Sequence, residues 1–155
     1  MSDTELRNQI LAEEAELVFA RFTEEDALAL GTRIAQKGLK DGLPILIEIS
    51  RFDRRLYFCA LPGTTPDNED WARRKANLVR RFHRSSLAVG LDLAIAGTDL
   101  TTKYGLSQAD YAAHGGGFPL RVEGAGVIGS VVVSGLPQKE DHRLVVQALR
   151  DHLKA

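Results

Sequence analysis

One cysteine in 155 residues is too few for an intramolecular disulfide or a cysteine-only metal site. Cys59, inside LYFCAL, therefore reads as a small buried hydrophobe, and a reducing cytoplasmic location is the expectation. Charge of one sign is lacking too: 20 Lys and Arg against 21 Asp and Glu leave a formal charge of -1, which removes any whole-molecule case for nucleic acid or an anionic membrane. No segment approaches the roughly 18 apolar residues of a membrane span. The stretch MSDTELRNQILAEEAEL has neither the basic flank nor the apolar run of a secretory signal, so no membrane partner is expected. Repeats, low-complexity tracts and long linkers are also missing, and the length suits one domain spanning 1–155 with one core.

What is present is a change of period along the chain. Thr4 to Glu16 reads as a charged amphipathic helix, and Thr23-Glu24-Glu25-Asp26 as a capping box opening a second helix that ends at Asp41-Gly42. In that helix Leu28, Ile34 and Leu39 are assigned to the buried side. Leu43–Ile49 and Arg55–Leu61, separated by SRFDR, read as a hairpin. Both faces of the second strand are apolar, which calls for cover by helices or by another subunit. After a turn-rich PGTTPD the pattern predicts a helix from about Glu69 to about Ala88 and a shorter one over Ser107–His114. Strands follow over Phe118–Val122 and Val127–Val133, and then a closing helix over Pro137–Leu153. Hairpins without strict helix–strand alternation imply an α/β (α+β) fold of the profilin-like or PAS-like kind, a central antiparallel sheet flanked by helices.

Gly124, Gly126 and Gly129 spell G-x-G-x-x-G, the pattern of a dinucleotide-binding turn. Such a turn must lead into a helix, whose N-terminus holds the pyrophosphate, with an acidic residue about 20 positions on. Here SVVVSG follows, a strand. Gly124 and Gly126 are read instead as the turn of a β-hairpin, and Gly129 as a bulge or a close approach of neighbouring backbone.

The most informative charged segment is WARRKANLVRRFHRSS, residues 71–86. At about 100° per residue, Trp71, Leu78 and Phe82 share one stripe, and Arg73, Arg80, Arg81 and Arg84 cluster opposite. That face suits carboxylates or phosphates of a haem, a nucleotide or an acidic partner; it equally suits a solvated or subunit-contact face paired with acidic side chains. The four histidines, His83, His114, His142 and His152, show no metal-ligand spacing, so no metal site is expected. His114, beside Gly115-Gly116-Gly117 at a predicted helix end, is the one best placed to ligate or to move a proton. Ser134 lacks the elbow of a hydrolase nucleophile, and Ser85-Ser86 has no neighbouring base.

Two segments, PGTTPDNEDWARRKANLVRRFHRSS and YAAHGGGFPLRVEGAGVIGSVVVSGLPQKEDHRLVVQAL, together resemble the haem-degrading-domain superfamily of GlcG and HbpS-like proteins. The likeness is greatest to its branch of small cytoplasmic proteins of uncharacterised function. The resemblance implies a profilin-like fold, a homo-oligomer (dimer or larger ring) and, in some relatives, haem binding or haem-linked redox sensing. Among the residues that match its motifs, Trp71 and Phe82 are assigned to the core. Arg74, Lys75, Asn77 and Arg81, with Ser85, Ser86, His114 and His142, are the candidate ligand-binding groups. The leading expectation is an oligomeric binding module for haem or another carboxylated or anionic small molecule. Two alternatives stand beside it: an enzyme acting on haem or a small carboxylated metabolite, with His114 or His142 as general acid or base, and a protein-interaction module whose arginine face mediates assembly.

Overall fold

The alternating segments pair into one sheet. In the computed structural model, which describes residues 1–155, five strands lie in the order β1-β4-β5-β2-β3. They are β1 (Val18–Phe19), β2 (Leu46–Arg51), β3 (Arg54–Ala60), β4 (Gly117–Val122) and β5 (Gly126–Ser134). Every neighbouring pair is antiparallel except β1, which runs parallel to β4. Side chains of the central strands alternate between two layers, which is what a strand's period of two produces. Ile47, Ile49, Val131 and Val133 join the main core. Leu46 and Val132 face the other way and meet Ala72.

The main core is closed by α2 (Glu24–Asp41) and α6 (Gln138–Lys154), and the opposite face by α3 (Pro66–Phe82). In α2, Thr23 and Asp26 cap each other reciprocally, at 3.3 and 2.8 Å, and Gly42 ends the helix in the left-handed region at φ 65°. α1 (Asp3–Glu16) packs differently: Ile10 is its only buried apolar residue, and polar groups hold the rest. Glu13 Oε1 lies 2.9 Å from His142 Nε2, Glu14 accepts from both the N–H and the hydroxyl of Ser85, and Arg7 pairs with Asp92 at 3.0 Å.

Several expectations are corrected. The long helix from Glu69 to Ala88 is two: α3 stops where His83 turns left-handed at φ 54°, and Ser85 caps α4 (Ser86–Ile95) by accepting from Ala88 N–H. Ser107–His114 is not helical. Ser107 Oγ accepts the Ala109 N–H and closes a local turn, while a short α5 (Leu100–Tyr104) lies just upstream. In α2, Leu28 and Leu39 are 61% and 60% exposed, because neither lies near Ile34 on the helical wheel; Ala27, Leu30, Ile34 and Gly38 form the buried stripe. The two faces of β3 are partly covered by helices, with Tyr57 beside Gly31 of α2 and Phe58 against Ala72 of α3, and none of its residues is fully buried.

The glycine reading holds. Gly124 and Gly126 turn the β4–β5 hairpin at φ 76° and 79°, and the register shifts between Leu120 and Arg121. A Cβ at Gly129 would overlap the Ser50 carbonyl oxygen of β2. The segment that directly follows the turn is the strand β5, not a helix.

Candidate functional site

Pro66 and Asn68, whose Oδ1 accepts the Thr65 N–H at 2.8 Å, start α3 after the β2–β3 hairpin and set the phase of the helix. Trp71, Arg74 and Lys75 then fall at i, i+3 and i+4, so they are neighbours on one side of the helix. Lys75 is directed inward. Its ammonium donates to the Val133 carbonyl and to Asp141 Oδ2, each at 3.1 Å, and both side chains are almost completely buried. Asp141 Oδ1 in turn accepts the Leu136 N–H at 3.0 Å, which ties the β5–α6 turn to the pair. Burial pushes the Lys75 amine down and the Asp141 carboxyl up, each partly offset by the other's charge.

Arg74 is directed along the surface. Its guanidinium carbon sits 4.2 Å from the centroid of the Trp71 ring, a cation–π contact, and its Nε is buried with no acceptor. The opposite partner of Trp71 is His114, edge-on with ring centroids 5.1 Å apart. The loop that carries His114 is tied to α3 by Ala112 N–H donating to the Arg74 carbonyl at 3.2 Å. Partial burial, followed by the charges of Lys75 and Arg74, lowers the pKa of His114, so a neutral imidazole is presented near neutral pH.

Two cavities meet at this Arg74–Trp71–His114 ridge. One, of about 290 Å³, is polar: Lys75 and Asp141 line it with Asp67, Asn68, Ser134 and Gln138, and Trp71 and Leu136 are its only apolar side chains. The other, of about 220 Å³, has Arg74 and His114 on its wall beside Leu93, Leu100, Tyr111 and three alanines. The arrangement can hold a small ligand by a guanidinium and an imidazole; the Lys75 charge is already neutralised by Asp141.

With that geometry in place, comparison with known proteins gives a family. The family model described as "Haem degrading protein HbpS-like" matches residues 22–150. The chain belongs to the HbpS-like haem-degrading family. A UPF0303 protein of Acidobacterium capsulatum is 50% identical over 140 residues, covering 90% of this chain and 85% of that one. Among solved structures, the Ybr137w protein superposes on this HbpS-like chain with a TM-score of 0.88 at 26% identity, covering 96% of this chain and 90% of its own. PduOC, solved as a complex with haem, gives a TM-score of 0.71 at 18% identity, covering 83% and 93%. The helix-flanked sheet of this family is thus the fold that the motifs implied.

Of the eight candidate residues, the structure brings three together: Arg74, Lys75 and His114. Asn77 and Arg81 border a separate open patch, where Asn77 Nδ2 donates to the Asp110 carbonyl at 2.9 Å. Arg81 is exposed and unpaired, whereas Arg73 binds Asp70 and Asp110, Arg80 pairs with Asp53, and Arg84 with Asp92. Most of the arginine face is therefore ion-paired surface. Ser85 and Ser86 are buried fasteners: Ser86 Oγ accepts the Gly117 N–H at 2.9 Å. His142 is buried against Glu13 and lines neither cavity, so the two histidines do not converge on one pocket.

Trp71, assigned to the core from its stripe, is only half-buried and backs both Arg74 and His114. Its spacing of three from Arg74 on a helix carried that signal. Leu136, Gln138 and Asp141 were missed as cavity groups because they reach the site only through the β5–α6 turn. No helix is long and apolar enough to cross a membrane.

Proposed function

We infer that this chain is a binding module for a small carboxylated molecule, whose carboxylate is held by Arg74 with His114 beside it. One observation carries the reading. The other helix-borne arginines nearby have aspartate partners or lie fully in solvent, whereas Arg74 is immobilised on Trp71 with a buried Nε–H that has no acceptor. A buried donor without an acceptor costs free energy of about 1–3 kcal/mol, which a carboxylate that turns the Arg74 guanidinium toward it would recover through a charge-assisted hydrogen bond.

Haem, the first ligand that the family suggests, meets this geometry only in part. Arg74 suits a propionate and the neutral His114 suits iron, but cavities of about 290 and 220 Å³ fall below the roughly 300–1,000 Å³ of pockets that enclose drug-sized ligands. Neither of these two cavities encloses a macrocycle, so the reading at Arg74 is a smaller acid.

Calorimetric titration with a panel of monocarboxylates and dicarboxylates tests it. Arg74→Ala is expected to weaken binding by roughly 10- to 100-fold, the value of a charge-assisted hydrogen bond of about 1.5–3 kcal/mol. Haem added to the same protein is expected to give no saturable Soret shift. A saturable shift that disappears in His114→Ala and persists in Arg74→Ala would replace this reading by iron ligation.

The same site makes a pH prediction. Because the folded His114 titrates below its ordinary value of 6.5, the ring is neutral at pH 7 and gains charge only as pH falls through that lowered value. Carboxylate affinity is therefore expected to be flat above pH 6.5 and to rise below it, until the ligand's own carboxyl protonates near pH 4–5, about the Glu value. In His114→Ala the rise disappears; an unchanged pH profile there would detach His114 from the ligand.

A further inference from the structure

The geometry points to a ligand that is amphipathic: a monocarboxylate with an apolar body about the size of one aromatic ring, seated in the cavity between α4, α5 and the 105–114 loop. This rests on the reading of Arg74 above and adds which of the two adjoining cavities receives the rest of the molecule.

The cavity lies over a small core of its own. Leu78 of α3, Val89 and Leu93 of α4, Leu100 of α5 and Leu106 form a cluster separate from the sheet's main core, with Tyr111 and Ala113 packed against it. Leu93 and Leu100 reach the cavity from below, and the Ala112–Ala113 segment closes one side. Half of its twelve lining residues are apolar, and its polar side chains are Arg74, Thr98, Asp99, Gln108 and His114. Asp99 is the only carboxylate, and its Oδ1 is committed to the Thr102 N–H at 2.7 Å as the cap of α5. Arg74 is the one cationic side chain on the wall, and its Nε has no acceptor.

The neighbouring cavity is unsuited to an apolar body. Its floor is the Lys75–Asp141 pair, and Asp67, Asn68 and Gln138 surround it. An aromatic ring placed there would strip water from polar groups and return no hydrogen bond. On the other side a ring meets Leu93, Leu100 and Tyr111, and the size agrees: an apolar cavity of about 150 Å³ already admits benzene, and this one is about 220 Å³. A ring with a two- or three-atom link to its carboxylate fills that volume and can reach Arg74.

Two probes and two variants decide the matter by calorimetry at one pH: 3-phenylpropionate and succinate, with Arg74→Ala and Ala94→Phe. Ala94 lines the cavity from an exposed position on α4, so a phenyl group there can occupy the ring's space without entering the core. Far-UV dichroism and the melting temperature check that the variant is folded. The expected result is that wild type binds 3-phenylpropionate at least tenfold more tightly than succinate. Arg74→Ala should weaken that binding at least tenfold, and folded Ala94→Phe should weaken 3-phenylpropionate at least tenfold while leaving succinate within twofold.

If both acids bind equally, both depend on Arg74 and neither responds to Ala94→Phe, the amphipathic inference is overturned and the carboxylate reading stands. If neither acid binds, or Arg74→Ala binds both as wild type does, both fall.

Discussion

Asp141→Ala is expected to lower folding stability by about 3–5 kcal/mol, the cost of breaking a buried ion pair by removing one partner. The substitution strands the Lys75 ammonium with only the Val133 carbonyl, and it also frees the Leu136 N–H. Lys75→Met should cost less, because the Asp141 carboxyl keeps its Leu136 bond and, already raised by burial, can remain protonated. A double Lys75→Met, Asp141→Leu variant should recover much of the loss, since an apolar pair leaves no charge unpaired. Urea unfolding at several pH values separates the causes. In Asp141→Ala the folded-state pKa of Lys75 falls further below the ordinary 10.5, so the unfolded state holds more protons between that lowered value and 10.5. Stability must then rise with pH across that window. A deficit that stays constant from pH 7 to pH 10 would assign the loss to the Leu136 turn and not to the stranded ammonium.

Gly129→Ala is expected to cost about 3 kcal/mol or more, the upper range for overpacking. β5 lies between β4 and β2, and the added methyl group would meet the Ser50 carbonyl and the Arg51 backbone, neither of which can rotate away. Gly124→Ala, in the same hairpin, is the matched control: nothing lies within 4 Å of its Cβ position, and only the left-handed φ of 76° opposes it. That conformation costs an L-residue roughly 1–2 kcal/mol. Equal losses in the two variants would mean that the sheet spreads at Gly129 to admit the methyl group.

The parts legible in the sequence are those set by local periodicity and capping. LIEISR and GSVVVS announce strands because both faces are packed, and Thr23 with Asp26 announces a helix start because the cap is satisfied within four residues. The break at His83 was hidden, since nothing in VRRFHRSS apart from the Ser85 cap distinguishes a left-handed histidine from another helical residue. β1, two residues long, owes its existence to β4 about a hundred positions later. For the site, the cation-rich helix put Arg74 and Lys75 among the candidates, and the fold sets them side by side with His114. Which arginine lacked an acidic partner depended on Asp53, Asp92 and Asp110, whose positions only the fold determines. His142 shows the reverse dependence: its motif made it a candidate, and Glu13, from the far end of the chain, engages it away from both cavities.

The polar clasp on α1 has a consequence for how the chain is made. Glu14 meets Ser85 across a separation of 71 residues, Arg7 meets Asp92 across 85, and Glu13 meets His142 across 129. At ribosomal rates of about 5–20 residues per second, the first helix synthesised waits roughly 4–17 s for α4, which supplies most of its partners, and roughly 6–26 s for α6. With a single buried apolar residue, α1 has little to bury by itself in that interval. Its docking therefore proceeds in two stages, on α4 first and on His142 last, and a nascent protein cut short before α4 should carry an N-terminus open to protease.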